Sequence, residues 1–250
     1  MLHVPKTSWT LLSQVTNDGS PEAFEALGKY CKLYEHCILA YFRELVDEAD
    51  ARDLSQTYFV QLVSKHRPFG RVKKIEGKPF RVWLKTQLHR LYVTWVRFQR
   101  AKKRHGEHVD AQKVENKLAD TYSADKAFDE QWLLTVLDLS MQRLATWCAE
   151  RNLSPILDIL RPILLNLSTE PHHLIAARQG WNEETMKQYV HRMRGHFSDQ
   201  LLEVVRETVG SLEEASEELD YLGNLRVIHR GKSKVRHSST SAEKHGGEGR

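Results

Sequence analysis

Three cysteines in 250 residues, Cys31, Cys37 and Cys148, are too few for a disulfide framework. Neither a CxxC spacing nor a neighbouring His pair marks a zinc site, so they are expected to be reduced core residues. Long apolar runs are missing as well. Nothing approaches the roughly 18 residues of a membrane span, and the start MLHVPKTSWT lacks the basic-then-apolar layout of a secretory signal. The expectation is a cytoplasmic protein without membrane contact. Strand-like alternation and internal repeats are also lacking, which points to an all-α fold. The 13 His residues invite a catalytic reading. However, His172 and His173 are adjacent and so point about 100° apart on a helix, while His105 and His108 fall in or beside a polar stretch. With no ligand or triad spacing, no metal, no cofactor and no enzymatic activity are expected.

One segment lacks acid. From Lys65 to Arg104, 14 Lys and Arg stand against the single Glu76, a local balance of +13. The tail from Arg226 to Arg250 carries seven basic residues against Glu243 and Glu248, so a formal net charge of +4 leaves −14 for everything else. Segregation of this kind draws a polyanion to one face and repels it from the others.

The chain reads as successive helices. Ser20-Pro21-Glu22 is a helix start, with a hydroxyl at the cap, proline in the first turn and an acid at the positive end of the dipole. That helix should run to about Val46. Asp47 then caps another, in which Ala51, Leu54, Tyr58 and Leu62 form the buried face and Asp53, Gln56 and Val60 the outer one. His66 to Pro79, broken by Pro68, Gly70 and Gly77, is a loop. In the following helix Phe80, Leu84, Leu88, Leu91, Trp95 and Phe98 fall within an arc of about 80° and should be core. Arg81, Lys85, His89, Tyr92, Val96 and Arg100, flanked by Arg90 and Arg97, are placed on the outer side.

Gly106 to about Ser123 reads as a linker, and a second helical block runs from Phe128 to about Tyr221, punctuated by Pro155, Pro162 and Pro171. From about Arg226 the chain has too few apolar residues to offset its ordering entropy, so disorder is expected. Two helical domains follow, at 7–105 and 125–225, with a linker at 106–124 and a basic tail at 226–250. Within the second, "EPHHLIAARQGWNEETMKQYVHRMRGHF" has the spacing of a helix-turn-helix, with Gly180 as a left-handed cap and Asn182 opening the next helix. Met186, Val190, Met193, Phe197 and Leu201 share its inner face. Lys187, Gln188, His191 and Gly195 point outward, with Arg192 and Arg194 at the margins.

Two basic helical surfaces suit a long anionic ligand touched at separated places, and nucleic acid fits best. Cations interleaved with aromatic rings suit a single strand, whose phosphates they hold and whose bases stack on the rings. The helix-turn-helix suits a duplex major groove.

These residues also carry a resemblance. "TSWTLLSQVTNDGSPEAFEALGKYC", "EADARDLSQTYFVQLV" with its Asp-Leu-x-Gln-x-x-Phe core, and "KPFRVWLKTQLHRLYVTWVRFQRAKKRHG" resemble region 2 of bacterial sigma factors of the extracytoplasmic-function type, in the branch frequent in planctomycetes and acidobacteria. "KAFDEQW", the stretch around Gly180 and "VVRETVGSLEEASEELDYL" resemble region 4 and the C-terminal extension of that branch, so the similarity runs from about Thr7 to Leu225. The resemblance implies a subunit that binds core RNA polymerase, reads promoter DNA at its −10 and −35 elements, and opens it. It puts Asp53, Gln56, Thr57 and Val60 against the clamp helices of the largest polymerase subunit. It puts capture of the non-template single strand on the loop and the start of the basic helix, His66 to Arg90, which with the outer face of that helix makes Arg71, Lys73, Lys74, Lys78, Arg81, Lys85, His89, Arg90, Tyr92, Arg97 and Arg100 the expected strand-opening residues. The −35 duplex falls to Lys187, Gln188, His191, Arg192 and Arg194. An anti-sigma or other regulatory protein is a further partner of the kind such factors take. Relatives usually carry an acid where this chain has Thr57, and more arginine than "YVHRMRGHF". A sigma-like DNA-binding regulator or adaptor that does not initiate transcription is the alternative.

Overall fold

The structure, a computed structural model, describes residues 21–63, 80–104, 121–209 and 211–224. All regular structure among them is helical: α1 Pro21–Arg43, α2 Glu48–Val63, α3 Phe80–Arg104, α4 Thr121–Ala149, α5 Ser154–Leu164, α6 His172–Arg178, α7 Glu183–Arg206, and α8 at 212–224. The expected loop at 66–79, most of the linker and the basic tail lie outside the described residues, as do Arg71, Lys73, Lys74 and Lys78.

Local chemistry sets the helix ends. α1 stops at Arg43, short of the expected Val46, because the chain turns: the Leu45 and Val46 amides both bond to the Phe42 carbonyl, and both side chains stay buried. Asp47 caps α2 as expected, its Oδ1 accepting from the Asp50 amide at 3.0 Å. Arg43 reaches across the turn to both oxygens of Glu48 at 2.7 and 2.8 Å. With help from Arg52, this holds the Glu48 carboxyl down at about 2. Asn152 and Asn166, at φ 57° and 54°, take left-handed turns on either side of α5. α5 itself carries Pro155 in its first turn and Pro162 close to its end.

Two apolar clusters form, and they do not divide at the predicted linker. The first gathers Tyr34, Ile38 and Phe42 from α1, Leu54 and Tyr58 from α2, and Phe80, Leu84 and Leu88 from α3. It also takes in Phe128 and Trp132 from α4, Val204 and Val205 from α7, and Leu222 from α8. The second joins the far end of α4 to α5, α6 and the first part of α7 through Leu144, Leu160, Ile175, Met186 and Met193. The C-terminal block therefore completes the core of the N-terminal one.

α4 makes this possible by its register. Its buried residues Ala124, Phe128, Trp132, Val136 and Ser140 recur every four positions, and each such step overshoots a 3.6-residue turn by about 40°. The buried stripe thus winds around the helix, so one end faces the first cluster and the other the second. At the first end the Trp132 and Tyr34 rings stack at 5.4 Å between centroids. Nearby the Tyr30 and Tyr58 hydroxyls share a buried hydrogen bond of 2.8 Å. Cys37 and Cys148 are buried and Cys31 is half-buried, all as free thiols, and burial pushes the Cys37 thiol up to about 12.

Candidate nucleic-acid interface

The basic helix α3 is rotated relative to the sequence projection. Tyr92 and Val96, expected outside, are buried, whereas Phe98, expected in the core, is 57% exposed and Trp95 only half-buried. The physical reason is that α3 is covered on two sides. α1 and α2 share the first cluster with Leu84, Leu88 and Leu91, while Asp129 of α4 and Glu218 of α8 pair with Arg81 and Lys85 on another flank. A projection that assumes one buried stripe and one free side cannot find a second covering layer supplied from far along the chain.

Arg81 and Lys85 are correspondingly not on a free surface. Arg81 donates to Glu218 Oε1 at 2.6 Å and to Asp129 Oδ1 at 3.2 Å, and its guanidinium lies 4.0 Å from the centre of the Tyr221 ring. Lys85 Nζ donates to Asp129 Oδ2 at 2.8 Å. Asp129 and Glu218 side chains are only 4% and 2% exposed, so these are internal ion pairs. Burial works against the Arg81 charge, but Glu218 and Asp129 more than offset it and raise its pKa above the ordinary guanidinium value. Tyr221 donates to Asp129 Oδ2 at 2.6 Å, and burial together with that bond pushes its hydroxyl up to about 12. Burial also raises the Asp125 carboxyl, against the pull of Lys85. His89 is half-buried one turn further along α3, its Nδ1 without a hydrogen-bond partner among the described residues.

What remains outward on α3 is a shorter strip. Arg90, Thr94, Arg97, Phe98 and Arg100 are exposed: Arg90, Thr94 and Arg97 run along the middle of the strip, with the Phe98 ring on one flank and Arg100 on the other. Helical periodicity and motif spacing single out none of Asp129, Glu218 and Tyr221, yet a signal is present in the sequence. It concerns Asp129: the acids Asp125 and Asp129 of α4 repeat at the same four-residue step as Arg81, Lys85 and His89 of α3.

The helix-turn-helix stretch folds as the spacing predicts. α6 ends through Gln179 into Gly180, which adopts φ 67°, and Asn182 Oδ1 accepts from the Thr185 amide at 2.7 Å to start α7. Met186, Val190, Met193 and Phe197 are buried against α4 and α5. Lys187, Gln188, His191, Arg192, Arg194 and Gly195 are all exposed. Glu184 is exposed in line with Gln188 and His191 and adds an acid to that face. Lys187 pairs with Glu183 at 3.0 Å in full solvent, a contact weak enough to exchange for a phosphate. Gly180→Ala should cost about 1–2 kcal/mol in thermal unfolding, from the left-handed backbone alone, since a Cβ there meets nothing within 4 Å. Gly195→Ala, mid-helix and equally open, should raise stability by up to about 1 kcal/mol.

The third expected surface, on α2, is also exposed. Asp53, Gln56, Thr57 and Val60, at i, i+3, i+4 and i+7, share its outer side, with Val60 62% exposed. Their inward neighbours Leu54, Tyr58 and Leu62 anchor the helix in the first cluster. Among the described residues no three His, Cys, Asp or Glu side chains gather as metal ligands, and no helix is long and apolar enough to cross a membrane. No protein-family model, curated protein or solved structure matches the chain.

Proposed function

We propose that this protein is a sigma-type initiation subunit that carries core RNA polymerase to promoter DNA, with α2 as the polymerase contact and α7 as the duplex-reading helix. The observation that carries the reading is the helix-turn-helix: a left-handed glycine turn, a capped second helix and a reading face whose side chains all reach solvent. Lys187, Arg192 and Arg194 supply phosphate contacts, while Gln188 and His191 reach base edges in the major groove. The strip of Arg90, Arg97, Phe98 and Arg100 on α3 offers charge and a stacking ring to a separated strand. The likeness of the sequence to sigma regions 2 and 4 ties these surfaces to polymerase.

Run-off transcription with core polymerase and a promoter library tests this. Transcripts dependent on the protein, lost with Asp53→Lys, support the reading. In binding assays Gln188→Ala or His191→Ala should lose about 1–3 kcal/mol of discrimination at particular base pairs while leaving other positions alone. Lys187→Ala should weaken all sequences alike and lower the salt slope by about 0.9 log unit. Uniform weakening by all three would reduce Gln188 and His191 to backbone contacts.

Burial of Tyr92 and internal pairing of Arg81 and Lys85 favour a second reading, a duplex-binding regulator or adaptor that does not open DNA. Sequence-specific duplex binding, without a stable complex with core polymerase, would select it.

A further inference from the structure

The residues after α7 differ in charge from the helix they cover. Between 211 and 224 there are five acids, Glu213, Glu214, Glu217, Glu218 and Asp220, and no base, whereas α3 carries eight Lys and Arg and no acid. Four of those acids lie on the outer sides of α8, and one faces inward: Glu218 is seated between Ala215 and Leu222 in the first cluster. Its Oε1 accepts from Arg81 Nε at 2.6 Å and from Trp132 Nε1 at 3.2 Å, while its Oε2 has no hydrogen-bond partner among the described residues. A buried, half-satisfied carboxylate is a poor fastener for a helix, since an apolar residue of similar size would hold as well or better. Its charge, however, stands where a phosphate oxygen would otherwise approach Arg81. Arg81 and Lys85 face Asp129 and Glu218 directly, with Asp125 close to Lys85, so Glu218 is the acid that α8 adds to those of α4. α8 spans 13 residues, short enough to depend on its seat for helicity.

We infer that α8 is an intramolecular anionic strap: seated on Arg81 it withholds the start of α3 from nucleic acid, and a single-stranded polyanion displaces it. The inference rests on the nucleic-acid reading of α3 given above. It makes the internal pairing of Arg81 a closed state of that surface.

The test uses the full chain and a fluorescein-labelled single-stranded DNA 30-mer, with hydrogen exchange at 212–224 and anisotropy as readouts. Saturating oligonucleotide should speed exchange of the 212–224 amides by about tenfold or more while leaving those of α4 unchanged. Glu218→Gln should bind the oligonucleotide about 5- to 10-fold more tightly, within the range of intramolecular coupling. Tyr221→Phe keeps the ring over Arg81 but loses the bond to Asp129. It should move affinity the same way by less, and so covers the case in which Glu218→Gln does not fold. Oligonucleotide binding with unchanged or slowed exchange at 212–224 overturns the strap and leaves the nucleic-acid reading standing. Binding by neither wild type nor variant overturns both.

Discussion

Asp129→Ala is expected to destabilise the folded chain by about 3–5 kcal/mol, the range for removing one partner of a buried charge pair. The carboxylate takes hydrogen bonds from Arg81, Lys85 and Tyr221, so its loss strands two cations that solvent scarcely reaches. Glu218 still bonds to Arg81, while Lys85 keeps only the half-buried Asp125 nearby. Asp129→Asn separates charge from shape, because it keeps an acceptor for one donor and fills the same space. It should therefore recover part of the loss. Urea titration followed by circular dichroism measures both. A loss under about 1 kcal/mol in the alanine variant would place the pair in the class of exposed ion pairs and refute the internal network. Lys187→Ala, which breaks a solvent-exposed pair with Glu183, is the internal comparison.

Trp132→Ala should cost about 3–5 kcal/mol as well, by a different route: a large buried ring leaves a cavity, and the stack on Tyr34 and the bond to Glu218 go with it. Its consequence for cooperativity is the sharper outcome. Trp132 belongs to the later half of the sequence, yet it fills the core built by α1, α2 and α3. In the wild type, circular dichroism and the exchange of α1 and α7 amides should report one coincident transition. The variant should shift all of them together. Separate midpoints, with α1 to α3 unmoved by the substitution, would mean that the two blocks fold independently as two linked domains.

That contrast shows where the sequence was legible and where it was not. Short-range signals carried through. Asp47 and Asn182 cap the helices they were expected to cap, Gly180 takes the left-handed turn, and the inward positions of α2 and α7 are those that periodicity selects. These depend on a few neighbouring residues and a fixed helical period. The face of α3 was not legible, because its accessibility is decided by α4 and α8, which arrive from far along the chain. Arg81 and Lys85 turned inward for that reason, and Tyr92 is buried where Phe98 is exposed. The first apolar cluster draws on both sides of 106–124 because α4 shows no single apolar face: its buried stripe turns as it advances, and its polar-looking start, Thr121–Phe128, still brings Ala124 and Phe128 inside. Matched four-residue ladders of opposite charge on α3 and α4 were the one long-range clue in the sequence.

The unbroken α4 also sets a length scale. At 29 residues it is a strut of about 43 Å, longer than one turn of duplex, with one end set among α1, α2 and α3 and the other beneath the first part of α7. A strut neither stretches nor coils. If α7 and the exposed strip of α3 engage one DNA molecule while both ends stay packed, the interval between their target sequences is dictated by a solid member. Adding or deleting even a few base pairs between them would have to be absorbed by bending the DNA.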